Sequence, residues 1–156
     1  MLNTATYDQD FYAWITRNVE LLRSGQLAEV DAEHIAEELE SLGKRDLRAL
    51  RSRLQVLTMH LLNYQYQPGR LRKSWLTTID HQRDEIDALL LDSPSLRPAL
   101  AAALDTLYPK AVRDACRATG LPASTLPDTC PYPLDRLIAP DFLPEAVAGL
   151  TPPDAG

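Results

Sequence analysis

The sequence predicts an all-α protein: an up-and-down helical bundle with a long bent second helix and a proline-rich C-terminal strap. Two observations carry this prediction. Eleven of the twelve prolines lie between Pro94 and Pro153, so only Pro68 interrupts the first part of the chain. Strand signals are weak, because aromatic residues make up only 6% of the chain and no alternation of polar and apolar residues persists.

Helix one is predicted from about Tyr7 to Ser24. Thr6 and Gln9 have the spacing of a capping box, in which two side chains satisfy free N–H groups at the helix start. Gly25 supplies a residue that can adopt the left-handed conformation after the last turn. The apolar stripe expected to be buried consists of Phe11, Ile15, Val19 and Leu22.

Helix two is predicted to be the longest element, with Asp31 as its N-cap and an end near Gln67, where Pro68 and Gly69 follow. A helix of about 37 residues would be about 55 Å long. A compact domain of this size has a diameter of roughly 40 Å. We therefore expect a bend near Ser41–Gly43; the alternative is that one end projects and packs on a second subunit.

Helix three is predicted from Arg70 to Asp92, and helix four from Ser93 to Thr119 with a bend at Pro109. From Leu121 onward the prolines favour an extended strap over the bundle, with one short helix near Leu134–Ala139.

Length and composition exclude several classes of protein. A chain of 156 residues favours one domain, which we place over residues 1–145, with a largely disordered tail over 146–156. The two cysteines, Cys116 and Cys130, are too few for a disulfide framework. The chain opens without a basic and apolar leader and has no apolar run near ~18 residues, so a cytoplasmic location is predicted and a membrane partner is not.

Ionisable residues interrupt the predicted buried face of helix two. Drawn from Ile35 at 3.6 residues per turn, that face includes Asp46, Arg53 and His60. Its other members are Leu39, Leu42, Leu50, Leu57 and Tyr64. Because an unpaired buried charge is costly, these side chains must find partners or reach water.

Helix three repeats the pattern, with Arg83 on a face whose other members are Trp75, Ile79, Ile86 and Leu90. A helical hairpin that turns at Pro68–Gly69 would bring Arg83 near Arg53 and His60, with Glu38 or Asp46 as acidic partners. The five residues Glu38, Asp46, Arg53, His60 and Arg83 are called the polar seam below.

Three interpretations of the polar seam stay open. It is a structural network that fixes the register of the helices, or a pocket for a small anionic ligand or a metal, in a bundle that could be a hydrolase. In the third, the helical phase is misassigned and these side chains lie at the exposed edge of the face. His34 stands at metal-ligand spacing from Asp31 and Glu38, but its face is charged, as is typical of a solvated surface. No metal site and no cofactor are predicted, since Glu-x-x-His pairs and Gly-rich phosphate loops are missing. Catalytic residues stay unknown, because no nucleophile elbow is present.

Charge is distributed unevenly along the chain. The net charge is −6, yet residues 44–73 contain eight Lys and Arg with Asp46 as their only acid. This basic segment favours contact either with nucleic acid or with acidic clusters of the same chain or a second copy. We rank nucleic acid lower, because no recognition motif accompanies the charges.

Several segments also resemble a known family. In order along the chain they are YDQDFYAWI, AEELESLGKRD, SRLQVLTMHLLNYQYQPGR, SWLTTIDHQR, DSPSLRPAL and CPYPLDRL. They resemble the bacterial domain-of-unknown-function family twenty-nine, over about Tyr7 to Glu145. The resemblance implies an almost entirely helical fold and supplies no activity, cofactor or catalytic residue. Asn63 and Tyr64 depart from it, since the family often has Lys and Trp there.

The long helix, the opposed charge clusters and the missing catalytic constellation together predict a non-enzymatic protein-interaction module. We expect it to act in the bacterial cytoplasm, with itself or with an unknown protein as partner. The first alternative is a small-ligand or metal-binding bundle that uses the polar seam. The second is nucleic-acid contact through residues 44–73.

Overall fold

The computed structural model describes residues 6–67, 69 and 72–147, and no strand occurs among them. Its helices are α1 (Phe11–Arg23), α2 (Ala32–Tyr66), α3 (Lys73–Asp92), α4 (Leu96–Thr119) and α5 (Leu134–Leu137), with 3₁₀ turns at Leu27–Glu29 and Ala123–Thr125. The predicted all-α bundle is confirmed. Over the described residues, every helix is too short or too polar to be a membrane span.

The chain forms two compact units, residues 1–45 and 46–156, which we call the N-terminal unit and the C-terminal unit. The division falls within α2, which is helical without interruption through Ser41–Gly43. The single domain over 1–145 and the bend in helix two stay predictions. The tail predicted to be disordered, 146–156, lies almost entirely outside the described residues, as does Pro68 at the predicted turn.

In the N-terminal unit, α1 begins later than predicted. Asp10 is its N-cap, and the Asp10 carboxylate accepts a hydrogen bond from the backbone N–H of Ala13 at 3.0 Å. A short carboxylate satisfies the free N–H groups of a first turn well, so the capping box at Thr6 and Gln9 is wrong. At the other end, Gly25 has φ 76°, the left-handed conformation that was predicted.

The buried face of α1 also differs from the predicted stripe. Trp14, Asn18 and Leu21 are buried. The stripe expected to be buried is instead exposed, at 45% for Phe11, 36% for Ile15, 39% for Val19 and 46% for Leu22. Since α1 carries apolar side chains on two neighbouring faces, periodicity alone could not tell which of them packs inside.

In the C-terminal unit, the buried face of α2 is a run of leucines. These are Leu50, Leu54, Leu57, Leu61 and Leu62, all with 0% exposure. The predicted face contained Leu50 and Leu57 but was turned to one side, so Arg53, His60 and Tyr64 lie half-buried at its edge. The helical phase counted from Ile35 therefore does not predict correctly which side chains are buried in residues 46–66.

The helix α3 buries most of the face that the sequence predicts, and α4 also buries one face. On α3 the buried residues are Ile79, Arg83, Ile86 and Leu90, and on α4 they include Leu100, Leu107 and Ala111. Gly120 caps α4 with φ 74°, while Pro109 lies inside α4 without ending it. Among the described residues after α4, five apolar side chains are buried: Leu121, Leu126, Tyr132, Leu134 and Leu137. The short helix predicted near Leu134–Ala139 is confirmed as α5.

Candidate functional site

Arg83 is the charged side chain of the polar seam that the structure buries, with 4% exposure. Its guanidinium donates to three backbone carbonyls: from Nε to Leu137 O at 2.8 Å, from Nη1 to Pro140 O at 3.4 Å, and from Nη2 to Phe142 O at 2.7 Å. Burial lowers the pKa of Arg83, but a guanidinium stays charged in proteins.

The acidic partner expected for Arg83 is therefore wrong, because each of its three guanidinium nitrogens donates to a backbone carbonyl. These carbonyls lie at the end of α5 and just beyond it, where no following turn of helix supplies N–H donors. Arg83 supplies the donors that regular secondary structure would otherwise provide. It thereby fastens residues 137–142 to α3.

Arg53 bonds to two side chains of α3 on the surface of the C-terminal unit. Its Nη1 donates to Gln82 Oε1 at 3.2 Å, and its Nη2 lies 3.3 Å from Glu85 Oε2. Both side chains of the ion pair are partly exposed, at 32% for Arg53 and 46% for Glu85. A pair this accessible to water contributes little stability.

The other members of the polar seam have separate surroundings. His60 is half-buried and donates from Nδ1 to Val56 O of its own helix at 2.9 Å. Asp46 is half-buried in the C-terminal unit, and Glu38 belongs to the N-terminal unit. Among the described residues, no hydrogen bond or ion pair joins any two of the five. That the polar seam binds a ligand stays a prediction.

The N-terminal unit contains a side-chain network that the sequence indicated only in part. Asp31 accepts a hydrogen bond from Trp14 Nε1 at 2.9 Å, and its carboxylate lies 2.7 Å from His34 Nδ1. Its second oxygen lies 3.4 Å from the backbone N of His34, which is the N-cap geometry predicted for helix two. The backbone N–H of Asp31 donates to the buried Asn18 at 2.8 Å.

Tyr7 extends this network. Its ring stacks on the ring of His34 with 4.3 Å between centroids, and its hydroxyl donates to Glu38. The hydrogen bond to Glu38 raises the pKa of Tyr7 to about 12. The hydrogen bond from Trp14 lowers the pKa of Asp31, and the bond to Asp31 raises the pKa of His34. The charged Asp31–His34 pair is thus favoured in the folded protein.

The spacing of His34 to Asp31 and Glu38 is a sequence signal for this cluster, although the charged residues around it favour a solvated face. The aromatic members Tyr7 and Trp14 were missed, because they come from α1 and the turn before it. Over the described parts of the chain, no three His, Cys, Asp or Glu side chains are placed to hold a metal ion.

An apolar groove is the other prominent feature of the N-terminal unit. It measures about 520 Å³, and its apolar lining includes Phe11, Ile15, Val19 and Leu22 from α1 with Ile35, Leu39 and Leu42 from α2. Leu39 is 63% exposed and Leu42 47%. Glu38 and Arg45 are the charged residues of the lining. The α1 stripe that the sequence assigned to the core is therefore one wall of an open groove.

Comparison with known proteins gives a family and no further relatives. The model of the family described as domain of unknown function DUF29 matches residues 6–143. Neither a curated protein nor a solved structure matches the chain. Asn63, which departs from the family pattern noted above, is buried, and its side-chain oxygen has no hydrogen-bond partner in the described structure.

Proposed function

The chain belongs to the DUF29 family, and we propose that it acts as a protein-interaction module whose N-terminal unit binds the same unit of a second copy. The observation that carries this proposal is the apolar groove between α1 and α2. A cytoplasmic setting remains part of the proposal.

More large apolar side chains of the N-terminal unit are exposed along the groove than are buried, among the described residues. Among the described residues of this unit, the buried apolar side chains are Trp14 and Leu21. Six apolar side chains of the groove are instead at least 36% exposed: Phe11, Ile15, Val19, Leu22, Leu39 and Leu42. Contiguous exposed apolar surface of this kind marks interaction sites in proteins. Covering it would give the unit the core that it lacks.

The surroundings of the groove favour a second copy as the partner. Several exposed residues beside the apolar positions are uncharged, namely Tyr12 and Thr16 on α1 with Ala32, Ala36 and Gly43 on α2, while the base Arg23 flanks them at the end of α1. Residues 1–45 carry nine acids and four bases, but Glu37, for example, lies about 160° around α2 from Leu39. Two acidic units can therefore meet groove to groove while such carboxylates stay apart.

The charged residues of the groove support the same arrangement. Glu38 and Arg45 both line it and are two helical turns apart on α2. In a two-fold dimer the same surface of each copy faces the other, so residue i contacts j and j contacts i. A two-fold axis near Leu42 places Arg45 of each copy opposite the acid of the other copy. The groove is thus complementary to itself in charge as well as in polarity.

Sedimentation of the full chain tests this proposal, with Leu39→Glu as the disrupting variant. We expect a dimer at tens of micromolar and a dimer weaker by more than roughly 100-fold for the variant. Each copy would lose one buried leucine, at about 1.5–3 kcal/mol each. Leu91→Glu is the matched control, because Leu91 is 73% exposed on α3 and lies outside the groove.

A monomeric wild type at these concentrations would contradict the proposal. So would equal weakening by both substitutions, which would indicate a general effect of added negative charge.

A further inference from the structure

A second opening lies in the C-terminal unit, between α2 and α4. It is a cleft of about 390 Å³. Its α4 wall is made of small side chains, Ala99, Ala102 and Ala103, where larger residues would close the space. Volumes of this order are usual for small-molecule sites. We call it the basic cleft, because its charged lining residues are Arg48, Arg51 and Lys110.

The three cations of the basic cleft have no carboxylate beside them in its lining. The ion pairs that the described structure contains do not include Arg48, Arg51 or Lys110. The acid one turn beyond Lys110 on α4 is Asp114, and its carboxylate accepts from Gln55 Nε2 at 2.7 Å. The cleft therefore concentrates three positive charges on an otherwise acidic protein.

The register of the two helices brings these charges together. The bond from Gln55 to Asp114 fixes one level at which α2 and α4 meet. One turn earlier on each helix are Arg51 and Lys110, and both of these cations line the cleft. Like charges that line one cavity repel one another, and an anion held between them would remove that repulsion. The hydroxyls of Ser52 and Thr106 also line the cleft and can donate to such an anion.

We propose that the basic cleft binds a small organic phosphate monoester, with its phosphoryl group between Arg51, Lys110 and Arg48 and its organic part on the alanine wall. Two arginines and a lysine match the several acceptor oxygens of a phosphoryl group. This inference is independent of self-association, because the groove and the cleft share no residue.

A small molecule fits this arrangement better than a nucleic-acid strand does. The bases of segment 44–73 do not all serve the cleft: Arg53 pairs with Glu85 on α3, and Arg72 and Lys73 lie at the start of α3. Two bases of the segment, Arg48 and Arg51, thus share one cavity with Lys110, whereas a strand is usually bound along a continuous basic groove.

Calorimetric titration of the full chain with phenyl phosphate tests the proposal. We expect saturable binding in the wild type and binding at least roughly 10-fold weaker in Lys110→Gln, because one charge-assisted hydrogen bond is lost. Lys73→Gln is the matched control, being an exposed lysine outside the cleft, and should bind as the wild type does.

A second variant tests the cleft by shape alone. Ala102 is exposed, so Ala102→Leu should fold normally while filling the space for the phenyl group. It should weaken phenyl phosphate more than inorganic phosphate. The proposal is overturned if wild type shows no saturation, or if Lys110→Gln and Lys73→Gln weaken binding equally. It is also overturned if a single-stranded oligonucleotide without terminal phosphate displaces phenyl phosphate at lower concentration.

Discussion

In the C-terminal unit the buried side chains of Arg83 and Gln67 bond to the main chain, whereas in the N-terminal unit the ionisable side chains of Asp31 and His34 bond to each other. Arg83 donates to three carbonyls, and Gln67 Nε2 donates to Thr119 O at 3.0 Å. In the N-terminal unit, Asp31 instead joins Trp14 to His34. Carbonyl acceptors do not titrate, so the first arrangement is insensitive to pH and the second is not.

The two units differ in the same way in their apolar parts. Five leucines of α2 in the C-terminal unit, from Leu50 to Leu62, are completely enclosed, while Leu39 and Leu42 of the N-terminal unit line an open groove. The C-terminal unit therefore has a buried core of its own, whereas the N-terminal unit leaves apolar surface exposed. We therefore expect that different measurements will detect the effects of substitutions in the two units.

The largest effect is expected for Arg83→Met, which keeps the length of the side chain and removes its donors. The three carbonyls lose a charged partner, and we expect a loss of about 3 kcal/mol in the free energy of unfolding. Urea denaturation measures it. Arg53→Met is the control, since its half-exposed pair with Glu85 should cost about 0.5 kcal/mol. Equal losses in both variants would remove the distinction between buried and surface arginines.

A stabilising change is expected at Gly43, inside α2 on the side of the N-terminal unit. A Cβ there would meet no atom within 4 Å. Gly43→Ala should therefore raise the free energy of unfolding by about 0.5–1 kcal/mol, through reduced freedom of the unfolded chain and higher helix propensity. Thermal unfolding followed by circular dichroism measures it. A loss of stability would show that α2 needs the glycine there, as the predicted bend would require.

The smallest effect is the pH dependence of the N-terminal unit. Because the pKa of His34 is raised from 6.5, its contribution is complete below pH 6.5 and is lost as pH rises through the folded value. Because the pKa of Asp31 is lowered from 3.8, its contribution is complete above pH 3.8 and is lost as pH falls through the folded value. Stability from this pair is thus greatest between pH 3.8 and 6.5.

Trp14 fluorescence in a Trp75→Phe background reports this dependence, because Trp14 bonds directly to Asp31. We expect the melting temperature to vary by a few degrees across the range, and Asp31→Asn to flatten the profile. An Asp31→Asn profile that follows the parent would assign the dependence to other groups.

What the sequence could predict depended on how many apolar faces a helix has. On α3, Ile79, Ile86 and Leu90 leave one possible phase, so Arg83 was placed inward correctly. On α1, Trp14 and Leu21 compete with the Phe11 stripe, and the prediction took the wrong face. The partners of Arg83 could not be predicted, because backbone carbonyls have no sequence signature.

The groove and the basic cleft show the same limit. The residues of the groove were recognised as apolar but were assigned to the interior. The cleft was not predicted from the sequence, although helical spacing places Ala99, Ala102, Ala103 and Thr106 on the same face of α4 as Lys110. Small residues on one helix beside bases on another become a cavity only once the register between the two helices is known.

The bonds of Arg83 also bear on the order in which the chain can be completed during synthesis. Its carbonyl partners follow it by 54 to 59 residues. At translation rates of roughly 5–20 residues per second, about 3–12 s pass before the last of them is added. Throughout that interval the guanidinium must stay hydrated, which opposes early closure of the α3 face. Premature termination before Phe142 would leave a nascent protein with an unsatisfied cation where its interior should form.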